Sequence, residues 1–239
     1  MMKKLITGLV LAGGLNVAAS AQELSVEITN LTNGIYYTPL LVSAHNRSAD
    51  LFEVGEPASA GLQAMAEGGD LAGLVADLEA AGANNVVNPA AGLLAPGKTA
   101  TAHLSTGKGN RYLSVVAMLL PTNDGFVGLD AVRIPKHPGT YTYYLNAYDA
   151  GTEANNEIIN GGGAPGVPGI PADPGGHSGT AATGVTDSEQ NTRVHIHPGV
   201  LGDMDLNGGV SDLNAAVHHW LNPVARVVIH VERRGRHDD

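Results

Sequence analysis

An antiparallel all-β fold, sandwich or barrel, is what this sequence predicts, and three observations predict it. Strand-length runs rich in Val, Leu, Ile, Thr and Tyr recur from residue 24 to residue 231. Turn signals separate them: Asn33-Gly34, Gly107, Gly109, Asn123-Asp124-Gly125 and Pro138-Gly139. No helical pattern alternates with the strands, which argues against a doubly wound parallel sheet.

Taken in order, Leu24, Val26 and Ile28 alternate with polar residues and predict a half-buried strand. Ile35 to Ala44 predicts a second strand, with Pro39 marking an edge or bulge because proline has no N–H for a ladder. Residues 57–83 change period. Pro57 is placed to begin a helix whose face carries Leu62, Met65 and Ala66. Asp70 reads as the N-cap of a second helix carrying Leu71, Leu74, Val75 and Leu78, with Gly82 as its stop. Strands are expected again at Thr99–Ser105, Tyr112–Leu120, Phe126–Ile134 and Thr140–Tyr148. Residues 160–180 form a long Gly/Pro-rich loop, expected to be partly flexible and lacking the strict triplet period of collagen. Order resumes at Arg193–His197 and closes with Val224–Val231, where Ala225, Val227, Ile229 and Val231 share a face.

The first 21 residues read as an export leader. Lys3 and Lys4 precede the apolar stretch Leu5–Val17, and Ala19-Ser20-Ala21 supplies a small-x-small cleavage site. The apolar run is too short and too interrupted by Gly and Asn for a permanent membrane span. The expected organisation is therefore a leader over 1–21, one β-domain over 22–234 and a frayed tail over 235–239, in a protein that is periplasmic or secreted. With no Cys among 239 residues, the exported domain has no disulfide staple, thiol chemistry or Cys-held metal, and relies on its core or on bound ions. A net charge of −10 argues against nucleic acid as a partner and suits solubility and cation capture.

Four segments in order carry a family likeness. They are SAHNRSADLFEVGEPASAGLQAMAEGGDLAGLVADLEAAG at 43–82, SVVAMLLPTNDGFVGL at 114–129, YDAGTE at 148–153 and PVARVVI at 223–229. Together they resemble the spondin N-terminal domain family, of the F-spondin and mindin type and including bacterial spondin-domain proteins. The resemblance implies an antiparallel C2-like β-sandwich with short helical insertions, acting as a binding or adhesion module rather than an enzyme. It also implies a divalent cation, calcium, held by loops at one end of the sandwich. Asp124 and Asp149 match two of the family's ligands. The residues agree with this, since each Asp follows a strand in a Gly-flanked loop where carboxylates can converge on a hard cation. The alternative for both is turn capping. The family's third ligand is an acid on the strand before SVVAM. Here Thr99–Thr106 holds no Asp or Glu and offers His103 and Ser105, which would shift preference toward a metal that accepts imidazole.

Two further metal readings come from the residues alone. Asp203, Asp205 and Asn207 take positions one, three and five of an EF-hand-like loop with Gly208 at six, but position twelve is Asn214 rather than an acid, so a turn held by a capping Asp is the competing reading. Asp212–Leu221 could follow that loop as a helix. His195-x-His197 puts two imidazoles on one strand face, and His218, His219 and His45 are additional donors, so a transition-metal (copper or zinc) binding protein is the alternative function. No G-x-S-x-G, HExxH or phosphate loop is present, leaving an unrecognised hydrolase as a third reading. The partner expected for the first reading is an extracellular or periplasmic protein or glycan.

Overall fold

In the computed structural model the described residues are 21–107 and 109–232, so the expected leader, save Ala21, and the expected tail at 235–239 lie outside them. Strand β1 (Glu23–Asn30) buries Leu24, Val26 and Ile28 and turns its other side outward, as its alternation predicts. It lies antiparallel between β5 (Thr99–Ser105) and β10 (Ala225–Val231), with Val26 opposite Ala102 on one side and Ile229 on the other. The remaining strands are β2 (Tyr36–Tyr37), β3 (Leu41–His45), β4 (Asn84–Val87), β6 (Tyr112–Leu120), β7 (Gly125–Arg133), β8 (Gly139–Asp149) and β9 (His195–Ile196). Proline 39 splits the single strand expected over 35–44 into β2 and β3.

The fold is all-β and antiparallel. Its strands follow one hydrogen-bonded path, β4-β3-β6-β7-β8-β10-β1-β5, with β2 on β6 and β9 on β8. The two end strands are neighbours: the Asn84 side-chain amide donates to the Ser105 carbonyl at 2.5 Å. The sheet thus nearly closes on itself, which protects strand edges that would otherwise template further pairing.

Two apolar clusters fill the molecule. One, inside the curled sheet, joins Val26, Ile28, Tyr37, Val115, Val127, Val227 and Ile229. The other lies on the opposite face, where Val116, Met118, Leu120 and Phe126 meet Leu62, Met65, Leu74 and Leu78 of two short helices. Strand β6 is buried on both faces, which is why Leu113–Leu120 is nearly continuous in apolar residues rather than alternating. The helices are α1 (Ala60–Gly68) and α2 (Ala72–Ala80). Ser59, not Pro57, starts α1 by accepting the Leu62 N–H at 3.1 Å, and Gly69 ends it in the left-handed region at φ 72°. The Asp70 carboxylate accepts the Ala72 N–H at 2.9 Å, one turn position earlier than a standard cap, and Leu71 occupies the cap itself. The helices cross at two glycines: a Cβ on Gly73 would stand 3.0 Å from the Gly61 Cα.

The segment from Ala150 to Pro223 has little regular structure, and buried carboxylates do the work of strands there. Glu157 accepts from Leu201 N at 2.6 Å, Gly202 N at 2.9 Å and the Ser211 hydroxyl at 2.5 Å. Asp212 accepts from Ile159 N at 2.9 Å and Ala182 N at 3.2 Å. Ile170, inside the Gly/Pro-rich run, is fully buried and bridges to Ile159. Charge-assisted bonds to backbone N–H groups satisfy a chain that has few ladder partners. The helix expected over 212–221 shrinks to α3 (Ala215–His218), capped by the Asn214 side chain.

Candidate functional site

Strands β7 and β8 bring the two loop aspartates to one end of the sheet. Gly125, next to Asp124, pairs with Asp149, and the Ala150 N–H donates to the Asp124 carbonyl at 3.2 Å. Both side chains are fully buried. Asp124 Oδ2 accepts three donors, Thr152 N at 2.7 Å, Thr152 Oγ1 at 3.1 Å and Glu153 N at 3.1 Å. Asp124 Oδ1 has no hydrogen-bond partner. Asp149 is partly satisfied within its own loop, by Gly151 N at 2.8 Å and the Asn155 amide at 2.6 Å. Burial, and then the charge of Asp149, push the Asp124 carboxyl up to about 8. Burial raises Asp149 as well.

Sequence reasoning passed over Glu153. Its carboxylate is buried beneath the same loops, accepts Gly169 N at 2.9 Å and the Asn123 amide at 3.3 Å, and leaves Oε1 without a partner. Burial raises this carboxyl too. The only signal available was its place in YDAGTE, four residues after Asp149. Two orphaned carboxylate oxygens in adjoining loops are unusual, because an unpaired buried acceptor costs its full desolvation.

His195 joins this end. From β9, which pairs Asp149 with His195, its Nδ1 lies 3.8 Å from Asp149 Oδ1 and donates to the Arg193 carbonyl at 2.8 Å. His197 shares its face and is buried against the Trp220 ring, centroids 5.0 Å apart, with Nδ1 accepting the Gly199 N–H at 3.0 Å. Burial pushes its imidazole down to about 3. His218 Nδ1 accepts the Asn214 N–H at 3.0 Å and His219 Nδ1 donates to the Val200 carbonyl at 2.8 Å, while the buried Nε2 atoms of His197 and His218 have no hydrogen-bond partner.

The other sequence candidates stand apart. His103 lies on the outer face of β5, separated from β8 by β1 and β10, and Ser105 sits on the same strand, so neither joins the aspartate rim. Asp203 spends its carboxylate on Asp205 N at 2.8 Å, Val210 N at 2.8 Å and Ser211 N at 3.0 Å, and Asp205 takes Asn207 N at 3.0 Å. Those backbone bonds lower the Asp203 pKa. The 203–214 loop is thus a turn held by its first aspartate. Among the described residues no group of three or more His, Asp or Glu side chains is arranged to hold a metal, so any ion at the rim must complete its shell from backbone carbonyls and water.

One serine is bracketed by a histidine and an aspartate. Ser114 Oγ lies 2.7 Å from His45 Nε2 and 3.0 Å from Asp130 Oδ1, and it accepts the Ala131 N–H at 2.8 Å. Ser114 and His45 are fully buried, and the His45 Nδ1 donates to the Asn46 carbonyl at 2.8 Å rather than to a carboxylate. Both partners bear on the serine itself, unlike the nucleophile–base–acid series of a hydrolase, and no substrate can reach its hydroxyl.

The Spondin_N family pattern matches residues 29–158, more than half of the chain, from the end of β1 through the Asp124, Asp149 and Glu153 loops. A comparison with curated proteins finds no match. No helix among the described residues is long and apolar enough to cross a membrane. The family is one of secreted binding modules. With the family pattern matched over more than half of its length on an all-β antiparallel fold, the chain belongs to the Spondin_N family.

Proposed function

We propose that this protein is an exported, non-enzymatic binding or adhesion module whose Asp124–Asp149 rim takes up a divalent cation, with calcium the expected ion. The observation that carries the reading is Asp124 Oδ1, a buried carboxylate oxygen with no partner beside a second buried carboxylate. Two like charges in a low-dielectric setting repel, and a cation between them offsets both the repulsion and the lost hydration. Asp124 and Asp149 would supply charge, and backbone carbonyls and water the rest of a shell of roughly 6–8 oxygens. The ion would fix the loops that present a protein or glycan partner.

Thermal unfolding in EDTA and in calcium tests this. Calcium should raise Tm in the wild type, and Asp124→Asn or Asp149→Asn should remove the rise. An unchanged melting curve across EDTA and millimolar calcium would overturn the calcium reading. His195, beside Asp149, favours a second reading in which zinc or copper replaces calcium. A larger shift with zinc than with calcium, lost in His195→Gln, would select it.

A further inference from the structure

The β7–β8 ladder is short. Only Gly125–Gly128 pair with Asn146–Asp149. Beyond Gly128, β7 runs on to Arg133 held by β6, while the earlier part of β8, Gly139–Leu145, is held by β10. The two strands therefore fork, and each has one side without a strand partner where they part. The fork opens into a surface groove of about 540 Å³. Asp50, Glu53 and Asp130 line it together with Phe52, Tyr144 and Tyr148, and no Lys, Arg or His side chain does.

The walls differ in packing. Phe52 is wedged at the closed end, its ring 5.0 Å from those of both Phe126 and Tyr148, and a Cβ on Gly128 would collide with it. Tyr144 stands 64% exposed at the open end. Asp130 lies where β7 carries an extra residue opposite Ser114, with Ala131 at φ 45°, and it lines the groove while its Oδ1 is held by the Ser114 hydroxyl and the Leu51 N–H. Burial, and the Asp50 carboxyl against it, raise Asp130 to about 7, so a cationic side chain in the groove would favour its ionised form.

We propose that the fork between β7 and β8 is a docking groove for an extended, basic segment of a partner protein, which adds as a strand along the open side of β7 while its Lys or Arg side chains meet Asp50, Glu53 and Asp130 between the rings of Tyr144 and Tyr148. Unpartnered strand edges offer backbone donors and acceptors to such a segment, and acidic and aromatic walls select its side chains. The net charge of −10 attracts a basic partner at long range. None of Asp124, Asp149 and Glu153 lines this groove, and the proposal does not depend on a metal at the rim.

Fluorescence anisotropy with a labelled nine-residue alternating Lys–Thr peptide at about 0.15 M salt tests the proposal. The comparison probes are the same peptide N-methylated at alternate backbone positions, a Glu–Thr peptide, and spermidine as a competitor. Binding of the Lys–Thr peptide should fall about tenfold on N-methylation and by a similar factor in Asp130→Asn, and the Glu–Thr peptide should not bind. Tyr144→Ala and Glu53→Gln, both at exposed positions, should weaken binding several-fold with Tm unchanged, which separates lost docking from lost folding. Equal binding of the N-methylated peptide, displacement by spermidine at equal charge concentration, indifference to all three variants, or no binding up to millimolar peptide would each overturn it.

Discussion

Asp124 and Asp149 meet across the end of one ladder: the residue after Asp124 pairs with Asp149, and the residue after Asp149 hydrogen-bonds back to the Asp124 carbonyl. Two strands that are adjacent in the sheet thus deliver two buried carboxylates to one rim, although 25 positions separate them in the chain. In the metal-free protein this arrangement costs stability, because one charge is fully buried with an oxygen unpaired. Asp124→Asn keeps an oxygen for the Thr152 and Glu153 N–H groups and removes the charge. Its Tm in EDTA at pH 7.5 should exceed that of the wild type, while its calcium shift should vanish. Paired melting curves check both, and a lower Tm in EDTA would mean that Asp124 is stabilised by something other than an ion.

Ser114 ties three elements together through one hydroxyl. With His45 Nδ1–H committed to Asn46, the neutral imidazole accepts at Nε2 from Ser114, and a protonated Asp130 can donate to the same oxygen. Ser114→Ala leaves His45 Nε2 buried without its partner and should destabilise by about 1–3 kcal/mol. Urea unfolding gives the value. Ser114→Thr, which keeps the hydroxyl, should recover part of the loss.

Strand positions were legible where apolar residues alternate or run together: Thr99–Ser105 and Tyr112–Leu120 match β5 and β6 residue for residue. Strand β4 was not, because Asn84-Asn85-Val86-Val87 lies half-exposed at the end of the path and owes its pairing to β3 rather than to its own pattern. The helix expected over 212–221 failed for a related reason: Asp212 is committed to Ile159 and Ala182, and the chain stays extended to reach them. At the rim, Asp124 and Asp149 could be picked out by their motifs, since loops after adjacent strands are brought together by topology. Glu153 could not, because its burial depends on Gly169 and Asn123 arriving from elsewhere in the chain. His103 illustrates the opposite failure, a plausible donor that the strand order carries to the far side of the sheet.

The EF-hand-like loop gives a test of pattern against structure. Asp203 holds three backbone N–H groups, and Gly209 sits so close that a Cβ there would clash with its carboxylate. Asp203→Ala should therefore loosen residues 203–211 and make the backbone at the already exposed Met204 and Leu206 susceptible to proteolysis, with the calcium shift of the whole protein intact. Limited proteolysis followed by mass spectrometry locates the new cleavage. A calcium shift lost in Asp203→Ala but kept in Asp124→Asn would move the ion to this loop.

Asp130 gives a pH dependence with a defined sign. Burial, and the neighbouring Asp50, raise its folded pKa from 3.8 to about 7. Between those values the folded protein keeps a proton that the unfolded chain has released, so this group's contribution to stability falls as pH rises through the window and is constant above it. Asp130→Asn imitates the uncharged form, because its oxygen can keep the place of Oδ1 beside the Leu51 N–H and the Ser114 hydroxyl while its NH2 replaces the proton facing Asp50. Wild type and variant should be about equally stable near pH 4, and the variant should become progressively the more stable up to about pH 7. Urea unfolding of both proteins at unit steps of pH in EDTA measures the difference, and subtracting the two curves cancels other groups that titrate alike in each. A difference that is flat from pH 4 to 7 would mean that Asp130 is ionised throughout. The proton between it and Ser114 would then be the serine's own, and His45 would have to carry the charge that the network needs.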